Sequence, residues 1–143
     1  MADVTDHPRF DVEVVTPDGA VFQGEAHMLI VPGAAGEIGV LARHAPLVAT
    51  LKAGSTRVHV GGNDVLEFAT GPGFFQVLQD RAIALVDDAV NANEIDDARA
   101  REQLEAARRE LDAIDAGVST GDRWQAEQRL RHAENMLTVG GRG

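Results

Sequence analysis

The residues able to do chemistry are few, and none is arranged for catalysis. The five histidines, His7, His27, His44, His59 and His132, are scattered without ligand-like spacing. Gly33, Gly36 and Gly39 do not open a phosphate loop, because no Gly-Lys-Ser/Thr follows them. The chain has no cysteine, which excludes a disulfide framework, a thiolate zinc site and a cysteine nucleophile. No Ser-His-Asp set stands out by order or spacing. The densest cluster of unusual residue types is Gly36-Glu37-Ile38-Gly39-Val40-Leu41-Ala42-Arg43-His44-Ala45-Pro46-Leu47. It packs two glycines, an acid, a histidine and an Ala-Pro step between strand-like runs. A glycine-rich segment lets backbone approach a neighbouring group closely.

Two kinds of element must position these residues. Up to about Val90 the chain reads as strands. Phe10-Asp11-Val12-Glu13-Val14 alternates apolar and polar, the period of a half-buried strand. Thr16-Pro17-Asp18-Gly19 is a turn. Val21-Phe22, His27–Val31, Leu47–Leu51 and Thr56–Val60 follow, then a hairpin-like break at Gly61-Gly62-Asn63-Asp64. Val65–Thr70, Phe74–Leu78 and Ala82–Val86 complete the strands that alternation identifies. Short strands between Gly, Pro, Asn and Asp clusters indicate an antiparallel sandwich or barrel.

From Asn93 the period becomes helical. Ala100, Leu104, Ala107, Leu111 and Ile114 form one stripe, and Ala126, Leu130, Ala133 and Leu137 form another. Asn93 and Asp96 resemble a capping box, and Gly117 suits a left-handed helix end. A second helix is expected to start near Asp122. The two seams predict an antiparallel helical hairpin. Because they are rich in alanine they bury little area, so the hairpin is marginal by itself and expected to leave its resting position. Glu105 and Arg109 are spaced for an i,i+4 ion pair.

Composition narrows the function classes. The 143 residues suffice for one domain, or a small domain with an appendage. Only 4% are aromatic, so the core must be aliphatic. The net charge of −10 argues against a general binder of nucleic acid or anionic membrane. No apolar run approaches the roughly 20 residues of a membrane span, and Met1–Phe10 reads as neither signal nor transit peptide. The chain is expected to be soluble and to meet a membrane only through a partner. Residues 91–143 carry 8 Lys/Arg against 11 Asp/Glu, whereas residues 1–90 carry 5 against 12. The arginines therefore concentrate in the hairpin, where an acidic partner could meet them.

Three segments resemble the epsilon subunit of the bacterial F-type ATP synthase, equivalent to the mitochondrial delta subunit. Val14-Val15-Thr16-Pro17-Asp18-Gly19 resembles its first strand and turn. Gly36-Glu37-Ile38-Gly39 with His44-Ala45-Pro46-Leu47 resembles its central loop. Ile95-Asp96-Asp97-Ala98-Arg99-Ala100 resembles the Ile/Leu-Asp-x-x-Arg-Ala motif opening its first C-terminal helix. They lie in the family's order and cover about residues 10–138. The resemblance implies a ten-stranded β-sandwich over residues 1–90 and a regulatory helical hairpin over residues 91–143.

It also implies a non-catalytic rotor subunit at the foot of the central stalk, coupling proton translocation to ATP synthesis. The partners would be the gamma subunit, the c-ring and the catalytic alpha/beta hexamer, at the cytoplasmic face of the bacterial plasma membrane. Gly36, Glu37, Ile38, Gly39, Arg43 and His44 would form the loop facing gamma and the c-ring. The hairpin would rest on the sandwich or extend to block ATP hydrolysis, with Arg123, Arg129 and Arg131 docking on the catalytic subunits. No cofactor is expected beyond weak regulatory ATP, for which Ile95, Asp96, Arg99 and Ala100 match the motif. Ala42-Arg43 stands where the family commonly has Pro-Gly, so the local backbone is expected to differ. Thr70-Gly71-Pro72-Gly73-Phe74 carries an extra proline, predicting a bulge or wider turn. His132 and Met136 occupy positions where strong ATP binders carry arginines. The alternative reading is a free-standing interaction module, which would lack tight one-to-one binding to gamma.

Overall fold

The computed structural model describes residues 7–140. Ten strands come first: β1 (Phe10–Thr16), β2 (Gly19–Ala26), β3 (Met28–Gly33), β4 (Gly36–Val40), β5 (Leu47–Leu51), β6 (Gly54–Gly61), β7 (Asp64–Thr70), β8 (Gly73–Leu78), β9 (Arg81–Val86) and β10 (Ala89–Asn91). A 3-10 turn at Ala92–Glu94 leads to helices α1 (Asp97–Asp115) and α2 (Arg123–Gly140). The β-sandwich followed by a helical hairpin is the expected architecture.

Alternation identifies eight of the ten strands and misses β4 and β10. The Gly36–Leu47 segment is therefore only partly a loop. Its first five residues return antiparallel on β3, from Gly33 opposite Gly36 to Leu29 opposite Val40. Two glycines and an exposed acid mask that strand in the sequence. β10 is three residues long and pairs with β7.

The strands run in the order β10-β7-β6-β3-β5-β8-β9-β1-β2, with β4 on the other edge of β3. The sheet folds over so that its halves enclose one core. Val12 and Val14 of β1, Leu29 and Val31 of β3, Val58 of β6 and Phe75 of β8 are almost completely buried there. Each full burial of such a side chain contributes roughly 1.5–3 kcal/mol.

The fold-over has a corner at Gly71-Pro72, where a bulge or wider turn was expected. Thr70 pairs with Ala89 on one side of it, and Gly73 pairs with Val86 on the other. Between them Gly71 N–H donates to the Asp88 carbonyl at 2.9 Å, and Asp87 N–H donates to the Pro72 carbonyl at 3.1 Å. β7–β8 and β9–β10 are thus one two-stranded ribbon that bends from one layer into the other. The proline is tolerated because its position in the bend accepts rather than donates.

Asp96, not Asn93, caps α1. Its carboxylate accepts the N–H groups of Ala98 and Arg99, while Asn91 caps the preceding 3-10 turn. An acid three residues after Asn93 mimics the capping-box spacing, but the intervening turn belongs to a separate element. Gly117 ends α1 at φ +74°, as expected. Asp122 caps α2 by accepting the Gln125 N–H at 3.1 Å. Glu105 pairs with Arg108 at 3.3 Å rather than with Arg109. Ala100, Leu104 and Ala107 are buried on α1, and Ala126 and Ala133 on α2. Met136 and Val139, outside the expected stripe, are buried too. α2 has two packed sides, because it lies between α1 and the outer face of β6–β7.

Candidate functional site

The glycine-rich segment is built on β4 and the loop after it. Glu37 is exposed, and its carboxylate accepts from the Arg57 guanidinium of β6 at 2.8 Å. Ile38 is half-buried and packs on the core, anchoring the strand. His44 is held locally: its Nδ1–H donates to the Ala45 carbonyl at 2.7 Å, and its N–H donates to the Leu41 carbonyl at 3.2 Å. Gly36, Glu37, Gly39 and Arg43 present an exposed edge.

Arg43 has φ +65°, the left-handed conformation that glycine adopts freely. Its N–H donates to the Asp80 carboxylate in the β8–β9 turn. That bond ties the loop to the second layer and holds an arginine in a conformation it does not favour.

A second surface is not signalled by any motif. On β8 the buried residues are Phe75 and Val77, which turns Phe74 and Leu78 outward. On β9 the buried residues are Ala82, Ala84 and Val86, which turns Ile83 and Leu85 outward. The ladders place Phe74 beside Leu85, Leu85 beside Val15, and Val48 of β5 two strands from Ile83. Val48 is 75% exposed, Phe74 62% and Leu85 52%. The result is an apolar patch, Phe74, Leu85 and Val15, on the solvent face of β8-β9-β1, with Val48 of β5 set apart from Ile83 by Gln76. One sequence signal could have revealed it: Phe74-Phe75-Gln76-Val77-Leu78 and Ala82–Val86 are apolar at both parities, more than a one-sided strand needs.

The hairpin's contacts with the sandwich are sparse. Ala69 of β7 meets Ala133, Met136 and Val139 of α2 in a small apolar cluster. Asn135 Nδ2 donates to the Gly54 carbonyl at 2.6 Å. Nε2 of His132 lies 2.8 Å from Oδ2 of Asp88, which sits in the β9–β10 turn. That hydrogen bond, ahead of the cost of burial, holds the Asp88 carboxyl below its ordinary range. Burial pushes the neighbouring Asp87 carboxyl up, although His132 attracts it.

The motif residues Ile95, Asp96, Arg99 and Ala100 do come together, around a cavity of about 180 Å³. Asp88 and Glu94 also line it. Ligand pockets are typically about 300–1,000 Å³; here Asp88, Glu94 and Asp96 line the cavity beside Arg99, and the Asp96 carboxylate is engaged in capping α1. Arg123, Arg129 and Arg131 are not brought together. Arg123 bridges Asp115 and Glu127 at the hairpin turn. Arg129 lines the cavity between the helices, and Arg131 lines a groove with Lys52 and Glu134.

The remaining histidines have separate structural settings. Nδ1 of His27 donates to the His7 carbonyl at 2.8 Å. His59 is pushed toward its neutral form by burial and by Arg57. Among the described residues no group of three His, Cys, Asp or Glu could hold a metal ion.

Residues 9–92 match the family described as ATP synthase, Delta/Epsilon chain, beta-sandwich domain. The chain is 40% identical to the ATP synthase epsilon chain of Halalkalibacterium halodurans, over 94% of this chain and 99% of that relative. It is 38% identical to the ATP synthase epsilon chain of Bacillus cytotoxicus, over 91% and 95%. Among solved structures it resembles a chain of the Euglena gracilis mitochondrial ATP synthase OSCP/F1/c-ring assembly, with a TM-score of 0.74 and 25% identity, covering 93% of this chain and 82% of that one. With the family model matching residues 9–92 and these relatives matched along nearly their whole length, the chain belongs to the epsilon-chain family of the ATP synthases.

Proposed function

We propose that the chain works as a rotor subunit in the central stalk of an F-type ATP synthase. Its sandwich grips the gamma subunit and meets the c-ring, coupling proton translocation to ATP synthesis at the cytoplasmic face of the bacterial plasma membrane. It performs no catalytic step. The observation that carries this reading is the exposed apolar pair Phe74 and Leu85, with Val48 diagonal to Phe74, on one face of the sheet. An exposed apolar patch marks a partner site, and gamma is the partner assigned to it. The edge formed by Gly36, Glu37, Gly39 and Arg43 is assigned to the c-ring. No helix among the described residues is long and apolar enough to cross a membrane, so the membrane is reached through that ring.

The sandwich and the hairpin act as two units, and the hairpin restrains ATP hydrolysis when it leaves the sandwich. Its alanine seam and few contacts with the sheet support that reading. Arg129 and Arg131, exposed on α2, are the arginines free to meet acidic segments of the catalytic alpha/beta hexamer. Arg123 is engaged within the hairpin turn. The acidic, narrow cavity at Arg99 makes nucleotide an unsuitable ligand for setting the hairpin's position.

The test is reconstitution with gamma and the catalytic hexamer. The full chain should co-purify with gamma one to one, and Phe74→Asp should abolish that binding while leaving the fold intact. Removing residues 95–143 should raise ATP hydrolysis by the assembled enzyme. The cut belongs beyond Asn91, because β10 closes the edge of the sheet. Failure to bind gamma would refute the rotor assignment, and unchanged hydrolysis would refute the inhibitory one.

A further inference from the structure

Among the described residues four buried side-chain nitrogen or oxygen atoms lack a hydrogen-bond partner, and two of them belong to one cavity. They are Oε1 of Gln128 and Nδ1 of His132, one helical turn apart on α2. The cavity, of about 530 Å³, lies between the two helices and the β9–β10 turn, and its size is that of a ligand site. Gln128 is 6% exposed. A buried acceptor left unpaired is costly, and its persistence calls for an explanation. We infer that this cavity is a binding site for an aliphatic polyamine. It lies beside the smaller cavity of the motif residues Ile95, Asp96 and Arg99, with Asp88 and Gln103 bordering both.

The chemistry of the lining selects the ligand. Oε1 of Gln128 can only accept. Nε2 of His132 lies 2.8 Å from the Asp88 carboxylate, and in the neutral ring an Nε2–H donated there leaves Nδ1 an acceptor as well. Both unpaired atoms therefore call for donors, and an ammonium group carries three donors and no acceptor. Charge agrees. Asp87, Asp88 and Glu110 line the cavity against one guanidinium, that of the exposed Arg129. Burial pushes the Asp87 carboxyl up, a condition that a cation beside it relieves.

The acids stand at opposite ends. Asp87 and Asp88 lie at the β9–β10 turn beside His132, whereas Glu110 accepts from Ser119 at 2.8 Å near the hairpin turn. That bond leaves further lone pairs on the Glu110 carboxylate. Ala106 and Ala107 line the stretch of α1 between Gln103 and Glu110, about 10 Å along the helix axis. A methylene chain fits against the alanines, and an ammonium group at each end reaches the acids. A single ammonium cannot meet both ends. A ligand so placed touches both helices and the sandwich, and therefore binds the hairpin in its seat.

The test is calorimetric titration of the full chain with spermidine, an aliphatic triamine, at about 0.15 M salt, where long-range attraction to an acidic surface is largely screened. Saturable one-to-one binding is expected, about tenfold tighter than that of n-butylamine, which has one ammonium group. Gln128→Leu leaves the net charge unchanged and should weaken binding about tenfold. Glu110→Gln should weaken it about threefold, and Arg129→Gln should tighten it. Nuclear magnetic resonance should place the largest shifts at the Gln128 side-chain amide. Binding that never saturates, or that magnesium ions at equal charge abolish, is a diffuse ion atmosphere and overturns the site. Parental affinity in Gln128→Leu also overturns it. Should that variant fail to fold by circular dichroism, Glu110→Gln decides, and parental affinity there overturns the site. Saturable binding of inorganic triphosphate that Arg129→Gln abolishes, with none of spermidine, overturns it in favour of an anion site.

Discussion

Replacing Arg43 by glycine should stabilise the protein. Arg43 sits at φ +65°, where the Cβ of an L-residue crowds the backbone at a cost of roughly 1–2 kcal/mol. Glycine has no Cβ, but its freedom in the unfolded chain returns about 0.5–1 kcal/mol of that gain. The N–H that donates to Asp80 is present in both residues. The net gain is about 0.5–1 kcal/mol, or about 2–4 °C in Tm for a chain of this size. Urea unfolding followed by circular dichroism reads it directly. Arg43→Ala is the control: it removes the guanidinium and keeps the crowded Cβ, so it should stay within about 0.5 kcal/mol of the parent. If Arg43→Gly is no more stable than Arg43→Ala, the argument from backbone strain fails. Backbone strain that persists where a smaller residue would relieve it suggests work for the side chain. Arg43→Gly should therefore fold better yet assemble less tightly with the c-ring.

Gly73→Ala should be far more damaging than a half-buried glycine near a strand end suggests. A Cβ there would lie 1.9 Å from the Leu85 carbonyl oxygen and 2.8 Å from the Val86 Cα. β8 and β9 would have to part, a loss of about 3 kcal/mol visible in the unfolding midpoint. Asp87 and Asp88 should respond to pH in opposite senses. Burial raises the Asp87 carboxyl, so its contribution favours the folded state below the carboxylate range and is lost as the pH rises; Asp87→Asn should stabilise the chain at neutral pH. The lowered Asp88 carboxyl contributes above the carboxylate range and is lost as the pH falls through its depressed value; Asp88→Asn should flatten the acid limb of a stability profile. Leu85→Asp should weaken binding to gamma, measured by calorimetry, with little change in Tm because Leu85 is 52% exposed.

The sequence is most legible where one side of an element is buried and the other is wet. β1, with Phe10, Val12 and Val14 inward, and α1, with Ala100, Leu104 and Ala107 inward, obey that rule. It fails where an element has two packed sides or none. α2 touches both α1 and the sheet, so Met136 and Val139 fall off the expected stripe. β4 is glycine-rich and exposed along most of its length, and it holds its place through pairing with β3 rather than through side chains. The site follows the same logic. The motif residues could be read because their types are unusual, whereas Phe74, Val48 and Leu85 look like ordinary strand residues until the sheet shows which way they point. His132 and Asp88 are 44 residues apart, and nothing local announces their meeting.

The bent ribbon carries a mechanical consequence. Phe74 and Leu85 stand on one arm of it, and Ala69 and Val90, beneath α2, stand on the other. The elbow between them is stitched by backbone hydrogen bonds and crowded at Gly73, leaving little room to hinge. A partner that seizes the first arm would thereby also fix the bench on which the helices sit. The grip on that arm and the attitude of the hairpin share one piece of hardware.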